Sequence, residues 1–281
     1  MRDVVTDTLL DGVRMLPFLL AAYLVIEYLE HKAGNQLTAL LSRCGAYGAF
    51  GGALLGALPQ CGFSVAAANL YAGRLITRGT LIAVFLATSD EAIPVMLSVP
   101  GSGGKLAALI AIKVALGMVF GFLIDRIEVK RGANDPEEAE HHDICGHCGC
   151  RESGVLRAAL YHTVTVFLFI LAVSFILNAV FYWIGSEAVS RLLLTDSVFQ
   201  PLVTAAFGLI PNCAASVILT QLYIKGSISF GAVLAGLASG AGIGMAVLWR
   251  MNRSFRDNLV IVLLLYGIGA GSGMLLHAAG L

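Results

Sequence analysis

The chain has 281 residues, 58% of them hydrophobic and 13% charged, with a mean hydropathy of +0.83; soluble domains carry about 45–50% apolar and about 25% charged residues, which excludes a soluble enzyme. Eighteen Lys and Arg balance eighteen Asp and Glu, so no basic surplus exists to neutralise a phosphate backbone and nucleic acid is excluded as a partner. At roughly 20 apolar residues per crossing, the length fits about ten membrane segments and no nucleotide-binding domain, so uphill movement would draw on an ion gradient or the membrane potential.

Met1 to Leu16 alternates charged and apolar residues and reads as an amphipathic entry to the first crossing, without the regions of a signal peptide. Apolar runs follow at 15–30, 38–58, 60–73, 79–98, 105–125, 158–184, 189–210, 212–224, 230–249 and 258–279. Of these, 60–73 and 212–224 are short and either cross or turn back. The polar stretch from Arg126 to Gly154 divides the chain into a first membrane repeat (1–125), a linker (126–154) and a second repeat (155–281). The fold class is all-α: a polytopic membrane protein with Pro-broken helices.

The halves repeat. Leu58-Pro59-Gln60-Cys61-Gly62-Phe63-Ser64-Val65 aligns with Ile210-Pro211-Asn212-Cys213-Ala214-Ala215-Ser216-Val217, and the same offset of 152 pairs Asn69-Leu70-Tyr71 with Gln221-Leu222-Tyr223. Five segments per half make the second enter from the opposite face, an inverted repeat as in secondary transporters. Twelve of the eighteen Lys and Arg fall on the odd-numbered loops and their flanks. By the positive-inside rule this places the linker in the cytoplasm and both termini outside.

Proline interrupts a helix, and broken backbone at membrane depth is tolerated only where it packs in protein or lines a cavity. Two breaks in corresponding positions point to a central site, with Gln60, Cys61, Ser64, Asn212, Cys213 and Ser216 as candidate ligands. Thiolates favour soft ions, and amide and carboxylate oxygens favour Mn²⁺ or Mg²⁺; the alternative is a pair of kinks with small buried thiols. Asp90 and Glu91, mid-segment in Thr88-Ser89-Asp90-Glu91, mark an ion pathway or proton relay. The matching Ser239-Gly240-Ala241-Gly242-Ile243-Gly244 carries no charge. Lys113 lies mid-segment next to them and either pairs with an acid or takes part in coupling. Glu27 and His31 share a helix face, and His162 begins the sixth segment; all three are coupling candidates that equally fit solvated segment ends. In the linker, His141, His142, Cys145, His147, Cys148 and Cys150 exceed the four ligands of a tetrahedral Zn²⁺ site. This cluster reads as metal capture or sensing, with a zinc knuckle or an inert tail as alternatives. Gly48, Gly52, Gly56 and the run Gly267, Gly269, Gly271, Gly273 read as close-packing surfaces.

The stretches Leu58 to Ala67, Thr88 to Ala92, Glu27 to His31 and Ile210 to Val217 together resemble the ten-helix (10TM) heavy-metal exporter family, whose members are labelled arsenic efflux proteins or manganese transporters. The ArsP-type organoarsenical permeases are similar at a greater distance. The resemblance implies an efflux carrier of the prokaryotic inner membrane. The expected function is proton-coupled, alternating-access export of a metal or metalloid species such as arsenic(III) or a divalent transition metal. No cofactor is expected beyond the bound or transported metal, with Zn²⁺ the candidate at the linker. The expected partners are the bilayer, the cargo and protons, with a homo-oligomer left open. The alternatives are Mn²⁺ export through oxygen ligands, a channel or membrane metal sensor, and an intramembrane thiol enzyme. Against the last stands the absence of Cys-x-x-Cys from every apolar run.

Overall fold

The structure is a computed structural model describing residues 16, 17, 20, 21, 24, 47–58, 61–89, 92–130, 156, 160, 161, 163–169, 171, 172, 175, 176 and 197–280. Among them no strand occurs, and the elements are α1 (Gly48–Gly56), α2 (Cys61–Ala72), α3 (Arg78–Ala87), α4 (Ala92–Leu97), α5 (Gly103–Lys130), α6 (Gln200–Gly208), α7 (Cys213–Ile224), α8 (Phe230–Ser239), α9 (Ile243–Met251) and α10 (Phe255–Ala278). The boundaries of α1, α2 and α3 recur in α6, α7 and α8 at the 152-residue offset read from the Pro-amide-Cys motifs, and α5 and α10 begin at that same offset.

Local chemistry fixes these helices alike in both halves. Thr77 caps α3 by accepting from the Thr80 N–H, and Ser229, its counterpart, caps α8 by accepting from the Ala232 N–H; each satisfies a donor that has no intrahelical partner. Both helices are buried from their second residue to their last. They stop short of a second turn signal: α3 ends at Thr88 and α8 at Gly240, both with extended ψ. Gly242 has a φ of +52°, a region that disfavours a Cβ, and it redirects the chain into α9.

Glycines set the packing. Gly48 faces Thr80, Gly52 faces Thr80 and Val84, and Gly56 faces Val84 and Ala87, so α1 lies along α3 in the same direction. The expected ladder is therefore a helix contact. In α10 the run divides: Gly269 and Gly273 press on Ala235, Ser239 and Gly231 of α8, whereas Gly267 and Gly271 meet nothing within 4 Å and face outward.

Side-chain contacts orient the elements. Arg78 at the start of α3 meets Asp257 at the start of α10, and the Gly79 N–H donates to Asp125 near the end of α5 at 2.9 Å. Ser229 at the start of α8 meets His277 at the far end of α10 at 2.9 Å. Helices α3 and α8 therefore begin at opposite ends of α10, which at 1.5 Å per residue is about 36 Å long. The end holding Asp125, from which α5 leads into the linker, is called the linker end.

Helix α1 starts at the linker end beside Thr80, and α2 returns to it, because Arg78 donates to the Tyr71 hydroxyl. In the other half the Ser229 N–H donates to Gln200 of α6, and Gly208 at the far end of α6 presses on Gly236. The short segments are thus returning arms of hairpins. Twelve residues span about 18 Å, well under the roughly 30 Å hydrocarbon core.

Four stretches are long and apolar enough to cross a membrane among the described residues: Arg78–Leu97, Gly103–Glu128, Phe230–Met251 and Phe255–Ala278. The two broken ones lie inside, 75% and 89% buried, while α5 and α10 turn apolar faces outward. Val119, Leu123, Leu263 and Leu275 are exposed there. A helix apolar all round suits lipid on one side and protein on the other. A groove of about 790 Å³ between α5 and α10 is lined by Leu116, Phe120, Leu263, Gly267, Gly271 and Leu275 among others; it contains none of the candidate ligands and belongs to the lipid-facing flank.

Candidate functional site

Each hairpin tip meets the broken helix of the other half. Helix α2 packs on α9, and α7 packs on α4. Ser64, one turn into α2, is buried against Gly244, where a Cβ would lie 2.8 Å from the Ser64 Cβ. In the matching place Ala215 of α7 and Ala92 of α4 share one apolar cluster. Helices α2, α3, α7 and α8 each run about 14–18 Å from one end of the molecule to a break. Each of these lengths is about half of a roughly 30 Å hydrocarbon core.

Lys113 joins the breaks. Its side chain is fully buried, and its ammonium donates to the Thr88 carbonyl, the C-cap of α3, and to the Leu237 carbonyl in the last turn of α8 at 2.6 Å. Both acceptors are C-terminal carbonyls, which carry the negative ends of helix dipoles and suit a cation. One lysine thus bridges the two halves where their helices stop. Thr88 turns its hydroxyl back to the Val84 carbonyl at 2.8 Å, and Ser239 does the same to Ala235 at 2.8 Å, so both last turns are closed by their own side chains. Ser89 is buried beside them.

The other candidates have definite local roles. Asn212 is buried and caps α7, its Oδ1 accepting from the Ala214 N–H at 3.2 Å. Cys213 is half-buried and packed against the cluster of α2, α3, α9 and α10. Ser216 is half-buried, and its carbonyl accepts from the Thr220 hydroxyl at 2.7 Å. Glu27, His31, Gln60, Asp90, Glu91, His162 and the linker residues His141, His142, Cys145, His147, Cys148 and Cys150 lie outside the described residues, as does the side chain of Cys61. Among the described residues no group of three His, Cys, Asp or Glu converges to hold a metal.

The chain matches the family described as "Putative, 10TM heavy-metal exporter" over residues 1–182 and 155–280. The chain belongs to the 10TM heavy-metal exporter family. No curated protein and no solved structure matches it. The exporter is a multi-pass helical membrane protein of a transport family, in keeping with the exclusion of a soluble enzyme by composition.

Sequence reasoning singled out Lys113 and the first break, but not the Leu237 carbonyl that Lys113 reaches. It also missed a polar cluster at the linker end of the exporter. There Asp257 is buried and accepts from the Tyr71 hydroxyl at 2.8 and 2.9 Å, from Arg78 at 2.7 and 3.1 Å and from Asn252 at 2.7 Å. Arg78 also pairs with Glu128. The available signal was Asp257 itself, an acid at the start of an apolar run whose counterpart at the 152-residue offset is Lys105.

Proposed function

We propose that this protein is a secondary carrier that exports a metal or metalloid species by alternating access, its two repeats inverted in the membrane and its driving force a proton gradient. The observation that carries the reading is Lys113 bridging the ends of α3 and α8, the broken helices of the two halves, with α2 and α7 each packed on the broken helix of the other half. Transport sites of secondary carriers are built at such junctions of discontinuous helices between repeats. The start of α3 and the start of α8 at opposite ends of α10 supports the inversion. The described basic residues Arg74, Arg78, Arg126, Arg250, Arg253 and Arg256 lie in the segments of the linker end, against Lys105 and Lys225 at the other, which supports a cytoplasmic linker in the inner membrane with both termini outside.

In this reading Gln60, Cys61, Ser64, Asn212, Cys213 and Ser216 line the junction. Asp90 and Glu91, next in sequence to Ser89, neutralise a cationic cargo or exchange it for protons. Competition between a proton and a metal for one carboxylate couples the two without ATP. Glu27, His31 and His162 serve proton or metal passage. The linker cluster collects or senses cytoplasmic metal such as Zn²⁺.

A second reading is Mn²⁺ export through oxygen ligands with the thiols incidental. It is favoured by the Thr88 and Leu237 carbonyls, which already hold a cation between them in an oxygen environment that suits hard ions. Uptake into inside-out vesicles under an imposed pH gradient, for Mn²⁺, Zn²⁺ and trivalent arsenic, separates the two. Accumulation of soft species that Cys61→Ser/Cys213→Ser abolishes supports the thiol site. Movement of Mn²⁺ alone, unchanged in that variant, transfers the site to the oxygens, and movement of none of the three under any gradient overturns the carrier.

A further inference from the structure

We propose that Tyr71, Arg78, Asn252 and Asp257 form a gate that closes the linker end of the seam between the two repeats and must open before cargo reaches the breaks from that side. The proposal rests on the carrier reading above. The cluster joins the halves directly: Tyr71 ends α2 and Arg78 begins α3, whereas Asn252 follows α9 and Asp257 begins α10. It also stands where a moving part would meet a fixed one, since the hairpin arm α2 lies on α9 of the other half.

The two ends of the seam are closed by different chemistry. At the 152-residue offset, Tyr223 corresponds to Tyr71 and Lys105 to Asp257, and across the far end Lys105 sits over the Tyr223 ring at 5.6 Å. The far end therefore has a cation–π contact from an exposed lysine where the linker end has a buried carboxylate with three donor side chains. Among the described residues the linker end of the seam is thus the more firmly closed. A closure made of polar bonds suits a gate because water replaces each bond when the halves part, so opening exchanges hydrogen bonds rather than losing them. An apolar closure of the same area would expose surface with no such replacement.

Nothing in the cluster depends on cargo chemistry, so the gate is read without transport. Cys213 begins α7 at a break, about 15 Å from Tyr223 and the far end, and is half-buried. In a full-length chain keeping Cys213 as its only cysteine, reconstituted in vesicles of known orientation, a membrane-impermeant maleimide is added to one face at a time. Asp257→Asn should raise labelling from the linker face at least about fivefold, the scale of a modest conformational coupling, with a smaller rise for Tyr71→Phe, which removes one O–H. Labelling from the far face should stay level or fall. Unchanged linker-face labelling in folded Tyr71→Phe and Asp257→Asn overturns the gate, and so does an equal rise from both faces, which marks a loosened fold. If Asp257→Asn does not fold, Tyr71→Phe decides alone. Parent-chain vesicles that move no cargo, while the single-cysteine chain shows sided labelling, keep the gate and remove the carrier; parent-chain vesicles that move cargo, with unsided labelling of the single-cysteine chain, do the opposite.

Discussion

The two halves of this exporter share a backbone frame and differ in what they place at its centre. In the first half the broken helix stops at Thr88, is followed in sequence by Ser89, Asp90 and Glu91, and is met by Lys113 of α5. In the second half the corresponding break is Gly240, Ala241 and Gly242, and the counterpart of Lys113 is Leu265, fully buried among Ile261, Ile268 and Ala238. Duplication therefore fixed where the helices stop, while the charge was concentrated on one side. One side carries the acidic and basic residues in its sequence; the other supplies small residues that let an opposite hairpin lie flush, as Gly244 does for Ser64. On the carrier reading proposed above, a symmetric frame would permit alternating access, and an asymmetric centre would give the cargo one binding chemistry rather than two.

The largest effect should come from forcing symmetry in the wrong direction. Leu265→Lys places an ammonium in an apolar cluster, and an unpaired buried charge costs at least about 3–5 kcal/mol, so the variant should fail to accumulate in the membrane. Abundance by immunoblot at matched expression checks this. Accumulation at the parent level would mean that the second break offers its own cation cage, and the asymmetry would collapse.

Lys113→Leu makes the first half resemble the second. It leaves the Thr88 and Leu237 carbonyls without the ammonium, at about 1–3 kcal/mol for each buried group left unpaired, so the protein should insert with a lowered melting temperature. Transport should be lost, because the link between the halves at their breaks is gone. Retained transport with lowered stability would assign Lys113 a structural role alone. Gly244→Ala tests the other side of the comparison. Its Cβ would stand 2.8 Å from that of Ser64 and 2.9 Å from the Ser64 backbone, an overpacking worth about 1–3 kcal/mol. Gly271→Ala, with nothing within 4 Å, should instead stabilise by about 0.5–1 kcal/mol, the helix-interior difference between glycine and alanine.

How far this arrangement was legible in the sequence follows from the range of the interactions. The breaks are local: Pro59, Pro211, Gly240 and Gly242 punctuate apolar runs whatever surrounds them, and the 152-residue offset found in the motifs reappears in the helix boundaries. The returning hairpins were not legible, because a 12-residue apolar arm has the same composition whether it crosses or turns back; contacts such as Gly48 with Thr80 decide it. The Tyr71–Asp257 bond joins residues 186 apart, and nothing in either neighbourhood distinguishes a buried carboxylate from a solvated segment end. Lys113 was conspicuous as a charge in mid-segment, yet its acceptor Leu237 is a backbone carbonyl 124 residues away, and carbonyls leave no mark on side-chain patterns.

The smallest expected effect concerns Asn212, for which sequence and structure assign different roles. As a helix cap, its Oδ1 holds the Ala214 N–H, and Asn212→Ala should cost about 1 kcal/mol of stability. Serine caps about as well as asparagine but lacks an amide to offer cargo. Asn212→Ser should therefore keep the parent's melting temperature, and its transport rate then separates the roles. An unchanged rate leaves Asn212 as the residue that starts α7 and so positions Cys213. A fall in rate at full stability means that the amide contacts the cargo, and the uncharged half then contributes a ligand as well as a packing surface.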